Sequence, residues 1–256
     1  MLCFTCGIAE RQGSAVVVFS SRLIFWDFDG TLVDNRGLWS AALKEVLDIY
    51  EPGHGIDTEN LRPYLREGFF WHNPERPHTY IKTANEWWAA MSVVFARAYR
   101  GVGYGPERAS QLAGNVRECY INPKRFTVRD DAVPVLKRLA AKGWKHAVLS
   151  NHVPELPEIV KSIGLSAHLG FCITSATTGW EKPNPEAFRH ALNLVGNPRQ
   201  VWIVGDDPEA DVKGAEAAGL PAILVRSPKT EGVRYCARDL FEAAAIIESA
   251  QAGTTV

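Results

Sequence analysis

Leu23-Ile24-Phe25-Trp26 is apolar without a break, is too short for a helix, and stops at Asp27 ahead of a glycine-containing turn. A short unbroken apolar run bounded by turn residues is the pattern of a strand buried on both faces. From residue 125 onward the same signal alternates with helical periodicity. The pattern predicts helices over 130–142, 154–163, 185–194, 209–218 and 240–250, separated by strands over 146–149, 170–174, 201–204 and 222–225. Strands joined through helices imply right-handed βαβ crossovers, so the predicted fold is α/β: a Rossmann-like, doubly wound parallel sheet.

Residues 35–122 break that rhythm. Helical stretches at 38–50 and 86–100 stand out with no convincing buried strand, so the region reads as an all-helical insertion after the first strand. Its aromatic residues Trp39, Phe69, Phe70, Trp71, Trp87 and Trp88 read mostly as the insertion's own small core, because aromatics at helical spacing are usually packing residues. The expected organisation is a poorly ordered extension at 1–21, a core from 22–34 and 123–256, and the helical insertion at 35–122.

Composition narrows the function classes. A chain of 256 residues with 46% hydrophobic and 22% charged residues can bury an ordinary core, which sets aside disordered and fibrous classes. With 28 Lys+Arg against 29 Asp+Glu the net charge is −1, giving no basic field for nucleic acid; a small molecule is the expected partner. Apolar runs are no longer than the pentad at 15–19, so no membrane span is expected. Five cysteines, odd in number and mostly far apart, do not form a disulfide framework and fit a reducing cytoplasm. Cys3 and Cys6 resemble half a zinc site, but no second pair follows at zinc-finger spacing, and two thiols at a frayed terminus explain them equally simply. No basic stretch precedes the apolar patch, which argues against a signal peptide.

Four polar clusters fall at the carboxyl ends of predicted strands, where open parallel sheets bind ligands. Asp27-Phe28-Asp29-Gly30-Thr31 offers two carboxylates that can be splayed into a nucleophile and a proton donor; it is equally a polar turn bent at Gly30. Ser150-Asn151 can hold an anion or serve as a turn or helix-cap pair. Lys182 stands just ahead of two prolines in Glu181-Lys182-Pro183-Asn184-Pro185 and, alone, reads as a surface lysine. Gly205-Asp206-Asp207, with Asp211 one turn on, crowds carboxylates that repel one another unless a cation neutralises them, although a helix macrodipole also attracts acids.

In this order the four clusters resemble the motifs of the haloacid dehalogenase (HAD) superfamily, in its phosphatase-like branch with a helical cap between the first and second motifs. The resemblance covers residues 22–35 and 125–225 and the position of the cap. It implies a Mg²⁺-dependent phosphohydrolase acting on a small phosphomonoester. Asp27 would be the nucleophile that forms an aspartyl-phosphate, and Asp29 the general acid/base. Ser150 and Lys182 would bind phosphoryl oxygens, with Gly30, Thr31 and Asn151 completing the substrate-binding set. Asp27, Asp206 and the backbone carbonyl of Asp29 would hold the metal, and Asp211 would orient its bound water. Asp207 departs from the family pattern, where many relatives carry a small residue such as Ser; it is a second possible ligand, with Asp206 favoured at the strand end. Asp29 argues against halide displacement, since a halide leaves without a proton. A phosphomutase, or a non-catalytic binding module on the same fold, are the alternatives. In the cap, Arg36, Arg62, Arg66, His72 and Lys82 are candidates for an anionic substrate tail, or else solvated helix faces.

Overall fold

The computed structural model describes residues 21–35, 38–227 and 229–252. The Cys3–Cys6 reading, the expected extension and Arg36 therefore lie outside the described residues, Ser21 apart. The strands in chain order are β1 (Arg22–Trp26), β2 (Val33–Asn35), β3 (Phe126–Val128), β4 (Lys145–Ser150), β5 (Phe171–Thr174), β6 (Gln200–Gly205), β7 (Ala222–Val225) and β8 (Cys236–Ala237). Six of them form a parallel sheet in the order β5-β4-β1-β6-β7-β8. The chain builds outward from β1 on one side, then returns to its other side at β6. That reversal opens a crevice at the carboxyl ends of β1, β4 and β6.

The unbroken apolar run of β1 is explained by its central place. Leu23 and Phe25 enter one apolar layer with Ala147, Phe188 and Val212, while Ile24 and Trp26 enter the other with Leu136, Val148 and Ile247. Both faces are covered, as a parallel sheet requires. The flanking helices in the sheet region are α6 (Ala132–Ala141), α7 (Leu156–Ser162), α8 (Ser175–Thr178), α9 (Pro185–Leu194), α10 (Gly214–Ala217) and α11 (Leu240–Ala252), following the insertion's α1 to α5 described below. The helix expected over 209–218 is present, opening as a wider π turn at Pro208–Lys213 that runs into α10 and is capped at its start by Asp207. Asp207 Oδ1 accepts from the backbone N–H of Glu209 and Ala210, at 2.8 and 2.9 Å.

Between β2 and β3 the described chain is helical: α1 (Leu38–Tyr50), α2 (Thr58–Leu61), α3 (Ala84–Gly101), α4 (Pro106–Ala113) and α5 (Val116–Tyr120). α3 starts at a reciprocal cap, Thr83 Oγ1 accepting from Glu86 N–H and Glu86 Oε2 from Thr83 N–H. Its buried face, Trp87, Met91, Val94, Phe95, Ala98 and Tyr99, follows helical spacing and packs with Leu43 and Leu47 of α1. The way in and the way out are tied together, since β2 pairs antiparallel with β3.

One buried titratable group belongs to the core alone. His146 Nδ1 accepts the Trp26 indole N–H at 3.1 Å, which assigns the proton to Nε2, donated to the Leu136 carbonyl at 3.0 Å. Burial pushes its pKa down from 6.5 to about 4. The unfolded chain takes up that proton first, so this contribution to stability is complete above the ordinary value and is lost as pH falls toward the folded one. Between about pH 7.5 and about pH 5 the loss through His146 is expected to be about 2 kcal/mol. Urea midpoints across that range should fall in the parent and fall distinctly less in His146→Gln; equal slopes would contradict this assignment.

Candidate active site

The crevice places the four sequence clusters around one cavity of about 470 Å³. Asp27 follows β1 directly, and its backbone N–H is fixed to the Val204 carbonyl of β6 at 2.9 Å. The chain then turns tightly, with Gly30 N–H bonded to Val33 O and Leu32 N–H to Phe28 O. Gly30 has φ +80°, and a Cβ on it would lie 2.2 Å from Asp206 Oδ2, so only glycine leaves room for that carboxylate. Gly205 does the same for Asp211, whose Cγ would sit 2.1 Å from an added Cβ. Thr31, fully buried, donates its hydroxyl to Asp206 Oδ1 at 3.1 Å. In this geometry Gly30 and Thr31 shape and orient the Asp206 carboxylate.

Lys182 is the hub. Its ammonium lies 2.7 Å from Asp27 Oδ1 and 2.5 Å from Asp211 Oδ1, with only 3% of the side chain exposed, so it is a buried lysine and no surface residue. Asn151 holds it by the backbone: the amide Oδ1 accepts from Lys182 N–H and Nδ2 donates to Lys182 O, both at 2.8 Å. Asn151 is thus occupied as a positioning residue for Lys182. The same loop is anchored to the insertion, where His78 Nε2 lies 2.9 Å from Glu181 Oε1 in a buried pair and Asn184 Nδ2 donates to the Pro74 carbonyl. Ser150, buried at the end of β4, lines the cavity.

The electrostatics are those of an acidic cluster under-neutralised by one lysine. Burial raises Asp27 above the ordinary carboxylate value of 3.8, Lys182 opposing it and Asp206 and Asp29 adding to it. Asp206 is raised by burial and by Asp211. Asp211 is pushed up to about 6 by burial, with Lys182 pulling down and Asp27 pushing up. Burial alone would lower Lys182, but Asp211 and Asp27 outweigh it and hold the ammonium firmly charged. Asp27, Asp206 and Asp211 each offer a carboxylate oxygen within 4.8 Å of the others, a donor set suited to a hard divalent cation.

Asp207 stands apart from that set. Its Oδ1 caps the Glu209 and Ala210 N–H groups, so one of its two oxygens is engaged by the turn it starts. The Asp29 side chain is likewise outside the cluster; it is 24% exposed to the cavity, with Oδ2 at 3.4 Å from His152 Nε2. Asp29 Oδ1 and both ring nitrogens of His152 are buried without a hydrogen-bond partner among the described residues. A lone histidine after Ser-Asn carries no sequence signal, so His152 was not legible. Of the insertion's aromatics, Phe69, Trp87 and Trp88 belong to its core with Trp39, Phe70 and Trp71 packed against it, and Trp39, Phe69 and Trp71, joined by Tyr120, also line the cavity. Arg62 pairs with Glu59 at the surface, His72 Nδ1 accepts from Phe69 N–H, and Lys82 reaches the Thr79 carbonyl; none of these, nor exposed Arg66, lines the cavity.

An acidic triad around a buried lysine at the switch point of a doubly wound sheet defines the class, and comparison names it. The family model described as haloacid dehalogenase-like hydrolase matches residues 21–219, so the chain belongs to the HAD-like hydrolases, in the phosphatase-like branch. It is 30% identical over 217 residues to haloacid dehalogenase-like hydrolase domain-containing protein 3 of Bos taurus, covering 81% of this chain and 83% of the relative. It is also 30% identical over 219 residues to the glyceraldehyde 3-phosphate phosphatase of Methanothermobacter thermautotrophicus, covering 83% and 89%. In fold it is similar to the crystal structure of YfnB from Bacillus subtilis, with TM-score 0.69 at 19% identity over 90% of this chain and 99% of that one.

Proposed function

We propose that this hydrolase removes phosphate from a small phosphomonoester in two displacements through Asp27. The observation that carries the reading is the Lys182 ammonium held between the Asp27 and Asp211 carboxylates. Its charge opposes the burial that raises Asp27 and presents positive charge where a phosphoryl group must approach. An Asp27 oxygen attacks phosphorus as the bond to the leaving oxygen breaks, and Asp29 gives that oxygen its proton. Asp29 then takes a proton from water as the water oxygen attacks phosphorus, freeing phosphate and restoring Asp27. Ser150 and Lys182 bind the phosphoryl oxygens that do not react. The helical segment between β2 and β3 acts as a cap that keeps water from the reaction. The phosphatase named among the relatives supports a phosphomonoester as substrate class.

The cluster fits Mg²⁺: Asp27, Asp206 and the Asp29 backbone carbonyl would hold it, and Asp211 would orient its bound water. When bound, the ion offsets repulsion between nucleophile and phosphate. Phosphate release from a panel of small phosphomonoesters should require added Mg²⁺ and fall to background with EDTA. Undiminished release in EDTA would overturn the metal assignment. Transfer of the phosphoryl group to a second substrate, with no free phosphate, would mark a mutase instead.

A further inference from the structure

Across the cavity from the carboxylates, the wall is built of Leu38, Trp39, Leu65, Phe69, Trp71 and Tyr120. Its rings form a connected stack. Trp39 lies 3.8 Å from Tyr120 and nearly parallel to it at 13°, Phe69 lies 4.3 Å from Trp71 at 11°, and Trp39 links the pairs at 5.3 Å from Phe69. Phe69 and Tyr120 are buried, whereas Trp39 and Trp71 keep part of their surface open. Among the described residues no cationic side chain of the insertion lines this wall, and the charged residues on the rim beside the reaction centre are Asp207 and Glu209.

This wall discriminates by charge and shape. An anionic tail would lose its hydration against the rings, find no cationic side chain of the insertion among the described residues lining the wall, with Lys182 already held by Asp27 and Asp211, and meet two acidic groups at the rim. A flat apolar body would instead gain ring stacking and burial. The volume, about 470 Å³, falls in the usual range for small-molecule sites and leaves room for a ring system beside the phosphate. We propose, resting on the phosphohydrolase reading, that the alcohol released is uncharged, flat and aromatic, seated against the exposed parts of Trp39 and Trp71 that line the cavity.

The test compares the full chain on phenethyl phosphate and indolyl-ethyl phosphate with phosphoglycolate and phosphoserine, all of which release alkyl oxygens, so that intrinsic aryl leaving-group advantage plays no part. The arylalkyl esters are expected to show kcat/KM about tenfold or more above the carboxylate-bearing esters. Trp71→Ala should shrink that preference by about tenfold, mainly through KM, with Trp71→Phe restoring most of it. Preference for the carboxylate-bearing esters, or a Trp71→Ala loss equal on all four, overturns the aromatic assignment while leaving the phosphohydrolase reading intact. Asp27-dependent release from none of the four, or from an aryl phosphate, overturns the underlying reading and this one with it.

Discussion

Asparagine in place of Asp27 is expected to lower phosphate release by at least about 10⁴-fold, because a neutral amide cannot attack phosphorus and no other described carboxylate follows β1 in its place. The fold should not suffer. The backbone N–H of residue 27 keeps its bond to Val204, and the carboxylate that is lost is one whose charged form burial disfavours, next to Asp206 and Asp29. Thermal unfolding of the variant, without metal, should therefore occur at or above the parent temperature, as when a strained functional group is relieved. Activity within tenfold of the parent would remove Asp27 as nucleophile; a large loss of stability would show that its carboxylate holds the fold.

The second large effect is at Asp29. With alkyl esters the leaving oxygen needs a proton, and Asp29→Asn should cost about 10²–10⁴-fold in kcat. An aryl oxygen leaves without one, so with an aryl phosphate the first displacement should be much less affected and the second, which needs a base for water, should become limiting. The variant should then accumulate phosphoenzyme. Equal losses in kcat/KM on alkyl and aryl esters, with no phosphoenzyme accumulating, would show that Asp29 moves no proton. The buried imidazole of His152, 3.4 Å from Asp29 Oδ2, limits where that carboxyl can turn.

What the sequence disclosed depended on how many residues carried each signal. The unbroken apolar run of β1 and the alternation after residue 125 predicted the parallel sheet, because strands and helices there are long enough to show a period. β2, β3 and β8 were invisible, having three, three and two residues, too few for any alternation to register. Asp27, Lys182, Asp206 and Asp211 could be picked out by their order along the chain, and the fold brings all four together. Between Asp206 and Asp207, place at the strand end favours Asp206, which joins Asp27 and Asp211, but the cap that Asp207 makes could not be read, since it depends on which way its side chain leaves the end of β6. Nor could the clamp of Asn151 on Lys182, which joins residues 31 apart through backbone atoms that no side-chain pattern reports. Trp39 and Trp71 show why helical spacing is not enough: it marks a buried face without saying whether protein or a cavity covers it.

The covalent intermediate on Asp27 is tested by acid-quenching Asp29→Asn during turnover of an aryl phosphate and mapping added mass by peptide sequencing in a mass spectrometer. One phosphoryl group, labile to hydroxylamine as an acyl phosphate should be, is expected on Asp27 and absent from Asp27→Asn. Continued release of phosphate with no adduct, or an adduct on another residue, would contradict it.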